Sequence, residues 1–235
     1  MKKNMQVKKA PALKGALAAT VAIAALAISA AASAQTAGTW AVGVGYNNVS
    51  PTASTDPISP PSLPNSTTKV SSNGQPIAVV DYMVTDHFSL EFGIGTPYKH
   101  KMSGDGALAG VGQLGTFEQL PPTLFAQYRF LDANSPLRPY VGIGLTYAIF
   151  RDEKGSGTLT AVTDPGGAPA TFKIDNTWAP TPEVGLTYAF NKKWYGDVRV
   201  SKTYLDPTVH INPTNQTTKA PLNPISSALV IGYRF

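Results

Sequence analysis

The last eleven residues of the chain alternate strictly between two kinds of side chain. One face carries Ile225, Ser227, Leu229, Ile231, Tyr233 and Phe235, and the other carries Ser226, Ala228, Val230, Gly232 and Arg234. A strand that crosses a membrane in a β-barrel needs about 9 to 11 residues and presents to lipid an apolar face bounded by aromatic residues. The pattern therefore predicts a lipid-facing strand, and we expect Tyr233 and Phe235 to act as a C-terminal signal for the barrel-assembly machinery.

The same period-two alternation occurs eight times along the chain. The runs cover residues 40–46, 75–84, 87–96, 123–130, 138–150, 177–190, 194–205 and 225–235. Alternation of this kind is the signature of strands with two different faces. Eight is an even number, as closure of an outer-membrane barrel requires. We predict an all-β fold, an eight-stranded antiparallel transmembrane up-and-down β-barrel.

The connections between these runs alternate between long and short. Residues 47–74, 97–122, 151–176 and 206–224 form long, polar segments, and residues 85–86, 131–137 and 191–193 form short ones. Outer-membrane barrels have long extracellular loops and short periplasmic turns, so we predict four such loops and three such turns. The first loop is rich in Pro, Ser and Thr, and we expect it either to be mobile or to cover the barrel mouth.

A soluble barrel is the alternative that the alternation alone leaves open, because lipocalin-like proteins also have eight strands around an apolar pocket. The composition of the two faces decides between them. Bulky aliphatic and aromatic residues share one face of each run, whereas Gly, Ala, Thr and scattered charged residues share the other. A narrow interior accommodates the small and polar set, so the apolar set is predicted to face lipid.

The amino-terminal segment has the pattern of a secretory signal peptide. Five lysines, at positions 2, 3, 8, 9 and 14, precede an apolar stretch over residues 16–32, and the stretch ends in Ala32-Ser33-Ala34. A basic start, a short apolar stretch and small residues at the end define a cleavable signal rather than a membrane anchor. We predict a cleaved signal peptide over residues 1–34 and a barrel over residues 35–235, exported to the outer membrane of a Gram-negative bacterium.

Charge and composition argue against several other functions. The chain has 19 Lys and Arg and 14 Asp and Glu residues, and the signal peptide removes 5 of the basic ones and none of the acidic ones. The mature chain is thus balanced in charge, without the basic patch that nucleic-acid binding needs. The chain has no cysteine, and His87, His100 and His210 lack the spacing of metal ligands. We expect no enzyme activity, metal or cofactor.

The predicted inner face carries charged residues in a narrow space. They are Glu91, Arg129, Arg138, Glu183, Asp197 and Arg199, three acids and three arginines. The interior of an eight-stranded barrel is just wide enough for side chains or one small ligand, and an unpaired buried charge costs several kcal/mol. We expect the six to pair, either as a structural plug or as a filter that polar solutes pass.

Two proline pairs mark irregular places in the predicted wall. Pro180 and Pro182 lie two residues apart in the sixth run, so the same neighbouring strand loses two backbone donors. Pro121 and Pro122 adjoin the start of the fourth run. Each pair is a candidate lateral gap toward lipid, or alternatively ends a strand above the hydrocarbon layer.

Several segments resemble the OmpW family of small outer-membrane barrels. They are residues 96–101 (TPYKHK), 120–130 (LPPTLFAQYRF), 138–147 (RPYVGIGLTY), 176–188 and the closing GYRF from Gly232. The resemblance implies a hydrophobic channel that passes small apolar molecules across the outer membrane and releases them laterally into lipid. It also implies receptor roles for phage or colicins in some relatives. Outer-membrane lipid is the expected surrounding, and Lys99, His100 and Lys101 are expected either to contact lipopolysaccharide phosphates or to form a solvated basic loop.

The resemblance carries over to two channel positions. In the family a narrow apolar constriction uses a Trp at the start of the sixth strand, matched by Trp178, and a Leu on the third strand, where this chain has Gly93. Strict alternation instead places Trp178 on the outer face as a girdle aromatic, unless the nearby prolines introduce a bulge. Passive transport of small hydrophobic molecules is the predicted function; a structural or receptor barrel that displays its loops is the alternative.

Overall fold

The computed structural model describes residues 35–235, and the predicted signal peptide lies outside them. Within this part the chain forms fourteen strands and one helix. In chain order they are β1 (Trp40–Ser50), β2 (Ser66–Val70), β3 (Asn73–Met83), β4 (Phe88–Gly95), β5 (Tyr98–Gly106), β6 (Gln113–Leu120), β7 (Thr123–Arg129), β8 (Leu137–Gly155), α1 (Gly157–Thr163), β9 (Thr171–Ile174), β10 (Thr177–Ala189), β11 (Trp194–Lys202), β12 (Thr208–Asn212), β13 (Gln216–Lys219) and β14 (Ile225–Arg234). No helix in residues 35–235 is long and apolar enough to cross a membrane.

Eight of the strands close into an antiparallel barrel. Their order around the barrel is β1, β3, β4, β7, β8, β10, β11 and β14. Pairing of β14 with β1 and of β8 with β10 completes the closure. The predicted up-and-down barrel is confirmed. The predicted strands match the observed ones closely, except that β1 continues to Ser50 instead of ending at Tyr46 and β8 continues to Gly155 instead of ending at Phe150.

The outer face of the barrel is apolar. Val44, Leu145 and Leu229 are among its side chains, with exposed fractions of 63%, 50% and 63%. Aromatic residues gather at the two rims of this band, namely Trp40, Phe88, Tyr128, Phe130, Phe190, Trp194 and Phe235 at one rim and Tyr46, Trp178 and Tyr204 at the other. An apolar band between two aromatic girdles is the surface of a barrel dissolved in a bilayer.

The two ends of the barrel differ in size. We call the end with the short connections the turn end and the end with the long ones the loop end. At the loop end, the β5–β6 hairpin continues the course of β4 and β7, pairs with the far part of β8, and carries β2 on its other edge. A second small sheet, in the order β13, β12, β9, lies opposite. The segments predicted as loops therefore contain regular strands.

A short stretch of the first long connection joins these two sheets. Thr55 and Ile58 donate backbone hydrogen bonds to β2, and Asp56 and Ser59 donate to β13. On the far side, Ile174 N of β9 donates to Glu153 of β8, at 3.4 Å. The long connections thus wrap around a common interior, which we call the loop-end unit. Of the two expectations for the first loop, packing over the barrel mouth describes this stretch.

The loop-end unit has an apolar core of its own. Buried side chains from all four long connections meet there, among them Ile58, Leu108, Leu114, Phe117, Leu159, Phe172, Val209, Ile211 and Leu222. Ala148, Phe150 and Ala179 extend this core down to the barrel strands. Four of its strands, β2, β9, β12 and β13, have only four or five residues, too few for their alternation to be recognised in the sequence.

Candidate functional site

The barrel interior is divided into levels along its axis. Charged side chains fill the half nearer the turn end, a cavity lies above them, and the loop-end unit lies beyond the cavity. We call the charged group the charge network and define it as Asp81, Glu91, Arg129, Asp197 and Arg199. All five side chains are at least nine-tenths buried. Inward positions of the four strands β3, β4, β7 and β11 supply them, because side chains alternate between the two faces of each strand.

Arg129 on β7 and Asp81 on β3 form the first part of the charge network. Arg129 Nη2 lies 3.3 Å from Asp81 Oδ1. The guanidinium also donates to Ser89 Oγ at 3.0 Å and to Thr187 Oγ1 at 2.9 Å. The hydroxyl of Tyr195 donates to the other oxygen of Asp81 at 3.2 Å. Both ionic groups are therefore satisfied from several strands at once, as a buried ion pair requires.

Arg199 on β11 organises the second part. Its Nε donates to Asp197 Oδ1 at 2.8 Å, and its Nη1 pairs with Glu91 on β4, across the barrel. The hydroxyl of Tyr140 donates to Asp197 at 3.0 Å. Thr187 Oγ1 donates to Asp197 at 2.7 Å while it accepts from Arg129, so the two parts form one network.

The expected pairing of every interior acid with an arginine is wrong at two positions. Arg138 is fully buried, but it lies beside the turns and donates to backbone carbonyls, including those of Asp86 at 2.7 Å and Leu131 at 3.2 Å. Glu183 accepts from Gln127 Nε2 at 2.8 Å and forms no ion pair with an arginine of residues 35–235. Arg138 is paired with turn carbonyls because they are its nearest acceptors. Glu183 lies in the space that the missing side chain of Gly142 leaves.

Sequence reasoning missed four members of this interior. Asp81, Tyr140, Tyr195 and Arg234 all point inward, and all are buried. The signal for Asp81 was its place between inward Val79 and Met83, and Arg234 lies on the inward face of the last strand. With them, the interior contains four carboxylates and four guanidinium groups: Asp81, Glu91, Glu183 and Asp197, and Arg129, Arg138, Arg199 and Arg234.

Aromatic rings fill the space that remains at this level. The Arg129 guanidinium lies over the ring of Tyr140, 4.9 Å from its centroid, and that of Arg234 lies over Tyr195 at 4.6 Å. Each ring passes over a glycine of the adjacent strand, since a Cβ at Gly185 or Gly232 would meet Tyr140 or Tyr195. A narrow interior accommodates large side chains only where small residues lie beside them. The charged side chains and the rings together close the barrel at this level.

A cavity of about 90 Å³ lies directly above the charge network. Glu91 and Arg199 form its floor, and its walls differ in polarity. Ile77, Val79 and Phe125 line one side, whereas threonines and serines of β8, β10, β11 and β14 line the other. One water needs about 10 to 15 Å³ on this kind of measure, so the cavity is large enough for several waters or a small molecule.

Four threonine hydroxyls form a continuous chain along the polar side of the cavity. Thr123 and Thr146 Oγ1 are 2.8 Å apart, Thr146 and Thr181 2.7 Å apart, and Thr181 and Thr203 3.2 Å apart. These residues belong to β7, β8, β10 and the segment after β11. We call this chain the hydroxyl belt. Its members come together only because the strands pair in this register.

The wall beside the cavity is interrupted between β4 and β7. Their pairing ends at Gly93↔Thr123 and resumes only at Tyr98↔Gln119, in the β5–β6 hairpin. We call this interval the β4–β7 seam. Pro121 and Pro122 lie in it. The carbonyl of Pro122 accepts from Tyr147 N of β8, so the backbone N of Pro121 is directed to the opposite side, toward β4.

The cavity extends to this seam. Ile94, Gly95 and Pro121 are among its lining residues. The side chain of Ile94 lies on the outer face of the barrel and is 40% exposed. A residue of the outer face thus borders the internal cavity at the point where backbone pairing is missing.

A second interruption lies between β10 and β11. Their pairing ends at Glu183↔Ser201, whereas β10 remains paired with β8 as far as Thr177↔Ala148. The carbonyl of Pro180 accepts from Tyr204 N at 3.0 Å, so Pro180 and Pro182 both direct their backbone N toward β11. The cavity lining on this side consists of the inward residues Thr181, Ser201 and Thr203.

Comparison with known proteins identifies the family. The sequence profile of the OmpW family matches residues 36–235, which is nearly all of the described chain. The chain belongs to the OmpW family. It is 35% identical over 171 residues to outer membrane protein W of Vibrio cholerae, covering 71% of this chain and 76% of that protein. The chain is therefore an outer-membrane β-barrel of a Gram-negative bacterium.

Two further relatives of this OmpW-family chain come from Pseudomonas aeruginosa. The crystal structure of the outer membrane protein OprG superimposes with a TM-score of 0.75 at 27% identity and covers 85% of this chain and 97% of that one. A dibenzothiophene metabolism operon protein, PahQ, is 25% identical over 199 residues, covering 83% of this chain and 88% of that protein. The barrel and its extensions thus follow an architecture known in the family.

The two channel positions inferred from the OmpW family lie on opposite faces of the barrel wall. Gly93 points inward and lines the cavity, where it leaves the space of a side chain empty. Trp178 lies on the outer face, 62% exposed, with its ring 4.6 Å from that of Tyr147. The expectation that Trp178 narrows the interior is wrong, because β10 pairs with β8 without a bulge and Ala179 and Thr181 take the inward positions.

Proposed function

We propose that this barrel passes small apolar molecules passively from the cell exterior into the outer membrane, and that they leave sideways through the β4–β7 seam. In this proposal the loop end faces outward, the turn end faces the periplasm, and residues 1–34 act as a cleaved signal peptide. The observation that carries it is the cavity beside the seam, which is sealed toward the turn end and borders the outward residue Ile94.

The charge network supports an exit through the wall rather than along the axis. Passage through the turn end would require separating Arg129 from Asp81 and Arg199 from Glu91. Breaking one buried ion pair costs about 3–5 kcal/mol, because a charge is left without its partner. At the seam the backbone hydrogen bonds are already missing, and the outer side is apolar. The lateral route therefore meets the smaller barrier.

The chemistry of the cavity wall supports an apolar cargo. Ile77, Val79 and Phe125 provide an apolar surface that leads to the seam. The name of the relative PahQ refers to the metabolism of dibenzothiophene, an apolar aromatic compound. Transport of such a molecule needs no energy source, because its transfer from water into lipid is itself favourable.

The β4–β7 seam is the favoured exit of the two interruptions. At this seam the cavity lining includes an outward side chain and a proline, whereas at the β10–β11 interruption it includes inward Thr and Ser residues. Pro121 removes a donor that would face β4, and Pro180 and Pro182 remove donors that would face β11. The four prolines thus provide variants for both routes.

The experiment measures uptake of N-phenyl-1-naphthylamine, an apolar dye that fluoresces in lipid, by Gram-negative cells with and without the protein. Pro121→Val restores a backbone donor that faces the seam, and we expect it to lower uptake several-fold. Pro122→Val is the matched control, because its new donor faces the intact β7–β8 pairing. Pro180→Val/Pro182→Val tests the other interruption and is expected to have little effect. All variants are compared at equal surface amounts.

Three results are distinguishable. A decrease with Pro121→Val alone supports exit at the seam, whereas a decrease with the Pro180/Pro182 double variant alone moves the exit to β10–β11. Uptake that does not depend on the folded protein contradicts transport.

A receptor function is the second candidate, and the loop-end unit favours it. The unit holds Lys99, Lys101 and Arg151 on its outer face, with Glu118 between Lys99 at 3.7 Å and Arg151 at 3.2 Å. Such a basic surface suits phosphate groups of lipopolysaccharide or an acidic partner. Replacing the three basic residues with Ala is expected to abolish binding of such a partner without changing dye uptake.

A further inference from the structure

We propose that the cavity selects apolar molecules that carry a neutral oxygen function, such as an alcohol or a phenol, over plain hydrocarbons and over carboxylates. The oxygen would bind between the hydroxyl belt and Arg199, and the carbon skeleton would point toward Ile94. This inference rests on the proposed transport function and names the cargo of the same site.

The polarity of the cavity is segregated. Most of the hydroxyl belt (Thr146, Thr181 and Thr203) lies with Ser201 on the side of β8, β10 and β11, whereas Ile77, Val79 and Ile94 lie on the side of β3 and β4. Thr123 of the belt lies on β7, at the boundary between the two sides. A molecule with one polar end and one apolar end matches both sides in a single orientation. A plain hydrocarbon covers the hydroxyls without bonding to them, and displacing ordered water without replacing its hydrogen bonds reduces affinity.

The hydroxyl belt has oxygen lone pairs that accept no hydrogen bond from other members of the belt. A threonine hydroxyl has one donor hydrogen and two acceptor lone pairs. Each contact along the belt uses one hydrogen, and Thr123 also donates to the carbonyl of Pro121 at 3.2 Å. Four hydroxyls therefore contain more acceptor sites than the belt can fill. A hydroxyl group on the cargo supplies the missing donor.

Arg199 supplies a donor from the floor of the same cavity. Its Nε and Nη1 are bonded to Asp197 and Glu91, whereas its Nη2 makes no hydrogen bond to any residue of the described chain. A guanidinium has five N–H donors in total, so part of this group remains available to an oxygen in the cavity. An alcohol or phenol can accept from Arg199 and donate to the belt, whereas a ketone can only accept.

The charges around the floor disfavour an anionic cargo. Glu91 and Asp197 already neutralise Arg199 with one negative charge in excess, and Glu183 is buried nearby. A carboxylate would add another negative charge to this buried group, and burying a charge without a partner is costly. The expected order of affinity is therefore phenol, then hydrocarbon, then carboxylate.

The experiment measures binding of p-cresol, toluene and p-toluate to the purified protein in lipid nanodiscs by ligand-observed NMR, with empty nanodiscs as the baseline. Each net hydrogen bond contributes about 0.5–1.5 kcal/mol, which corresponds to a preference of about 2- to 12-fold for p-cresol over toluene. In Thr146→Val/Thr181→Val, which keeps the shape of both side chains, we expect the preference to disappear while toluene still binds.

Two controls separate a loss of recognition from a loss of fold. Thr218→Val removes a buried hydroxyl of β13, remote from the cavity lining, and is expected to keep the wild-type preference. Ser201→Ala, a milder change in the same cavity, replaces the double variant if that one does not fold, and is expected to weaken the preference.

Equal binding of p-cresol and toluene to the wild-type protein, or an equal loss of both in the double variant, would overturn the proposed selectivity. In that case dye uptake that still depends on Pro121 leaves the transport function standing. Binding of neither compound would overturn both proposals, because the cavity would then not be a cargo site.

Discussion

The two halves of the interior have opposite polarity, although the same strand runs through both. In its barrel part, β8 directs Ile143 and Leu145 outward and Arg138 and Thr146 inward. Four residues beyond Thr146 it directs Phe150 inward, and the next residue, Arg151, is exposed. The surroundings explain the reversal, since lipid covers the barrel and water covers the loop-end unit. Lipid excludes charged side chains and water excludes apolar ones, so each part of the strand buries the kind that its surroundings exclude. The interior is therefore ionic in one half and apolar in the other.

The cavity lies where these two interiors meet. Below it the charge network is held by ion pairs and hydroxyl groups, and above it the core of the loop-end unit is held by aliphatic and aromatic contacts. Neither kind of packing continues into the other, because a charge in the apolar core would have no partner, and a Leu in the network would leave a neighbouring charge without one. The boundary leaves a space with one polar and one apolar wall, next to the β4–β7 seam.

The largest expected effect concerns the charge network. Arg129→Met removes the partner of Asp81 and leaves a buried carboxylate, which is expected to lower the free energy of unfolding by about 3–5 kcal/mol. Urea unfolding of the protein in lipid vesicles measures the change. The double variant Arg129→Met/Asp81→Asn removes both charges and is expected to recover part of the loss. A single variant as stable as the wild type would show that the network is not a structural seal.

The next effect concerns the apolar half. Leu114 is fully buried in the loop-end core, and Leu114→Ala is expected to destabilise that unit by about 2–5 kcal/mol. Hydrogen exchange of β5 and β6 should rise, while exchange of β1 and β14 stays low. Leu145→Ala, on the lipid-facing surface at 50% exposure, is the matched control and is expected to change little. Equal effects in both variants would contradict the division of the molecule into two differently solvated halves.

A smaller effect is expected on the pH dependence of the stability of the loop-end unit. Burial lowers the pKa of His100, which is 1% exposed and lies between the rings of Tyr98 and Phe117. Near neutral pH both neighbours are uncharged. The folded unit therefore binds fewer protons than the unfolded one, so its stability should fall as the pH drops below about 6.5, the usual pKa of histidine.

Hydrogen exchange of β5, corrected for the intrinsic rate, checks this sign at pH 7.5 and pH 5. We expect faster exchange at pH 5 in the wild type and no such difference in His100→Gln. His210→Gln, at the exposed pair with Asp175, is the control and should behave like the wild type. Slower exchange at pH 5 would contradict the account of His100.

The barrel could be predicted from the sequence because lipid imposes strict alternation. Leu145 and Leu229 lie in runs, residues 138–150 and 225–235, that are long enough to cross the hydrocarbon layer, and such runs are easy to recognise. The loop-end strands follow the same rule with reversed polarity, but β2, β9 and β13 have only five, four and four residues. Their interior becomes visible only when all four long connections come together.

The candidate site was predictable only in part. Alternation correctly placed Glu91, Arg129 and Arg199 inside, because each strand alone determines which way its side chains point. It could not pair them, because partners depend on register and on the distance across the barrel. Asp81 was missed although its strand had been found, and the hydroxyl belt was not foreseen, since Thr146 and Thr181 lie on different strands. Trp178 was misplaced only through the family resemblance, which the local alternation contradicted.

We propose that the cavity opens sideways at the β4–β7 seam and not through the turn end. The most direct measurement is photolabelling of the protein in native outer membranes with an apolar diazirine probe, followed by mass spectrometry of the labelled peptides. If cargo leaves at the seam, we expect labelling of Phe125 in the cavity together with Ile94 and Pro121 at the seam. Labelling of Tyr195 and Asp81 within the charge network would show that the probe passes through the turn end and would contradict lateral exit.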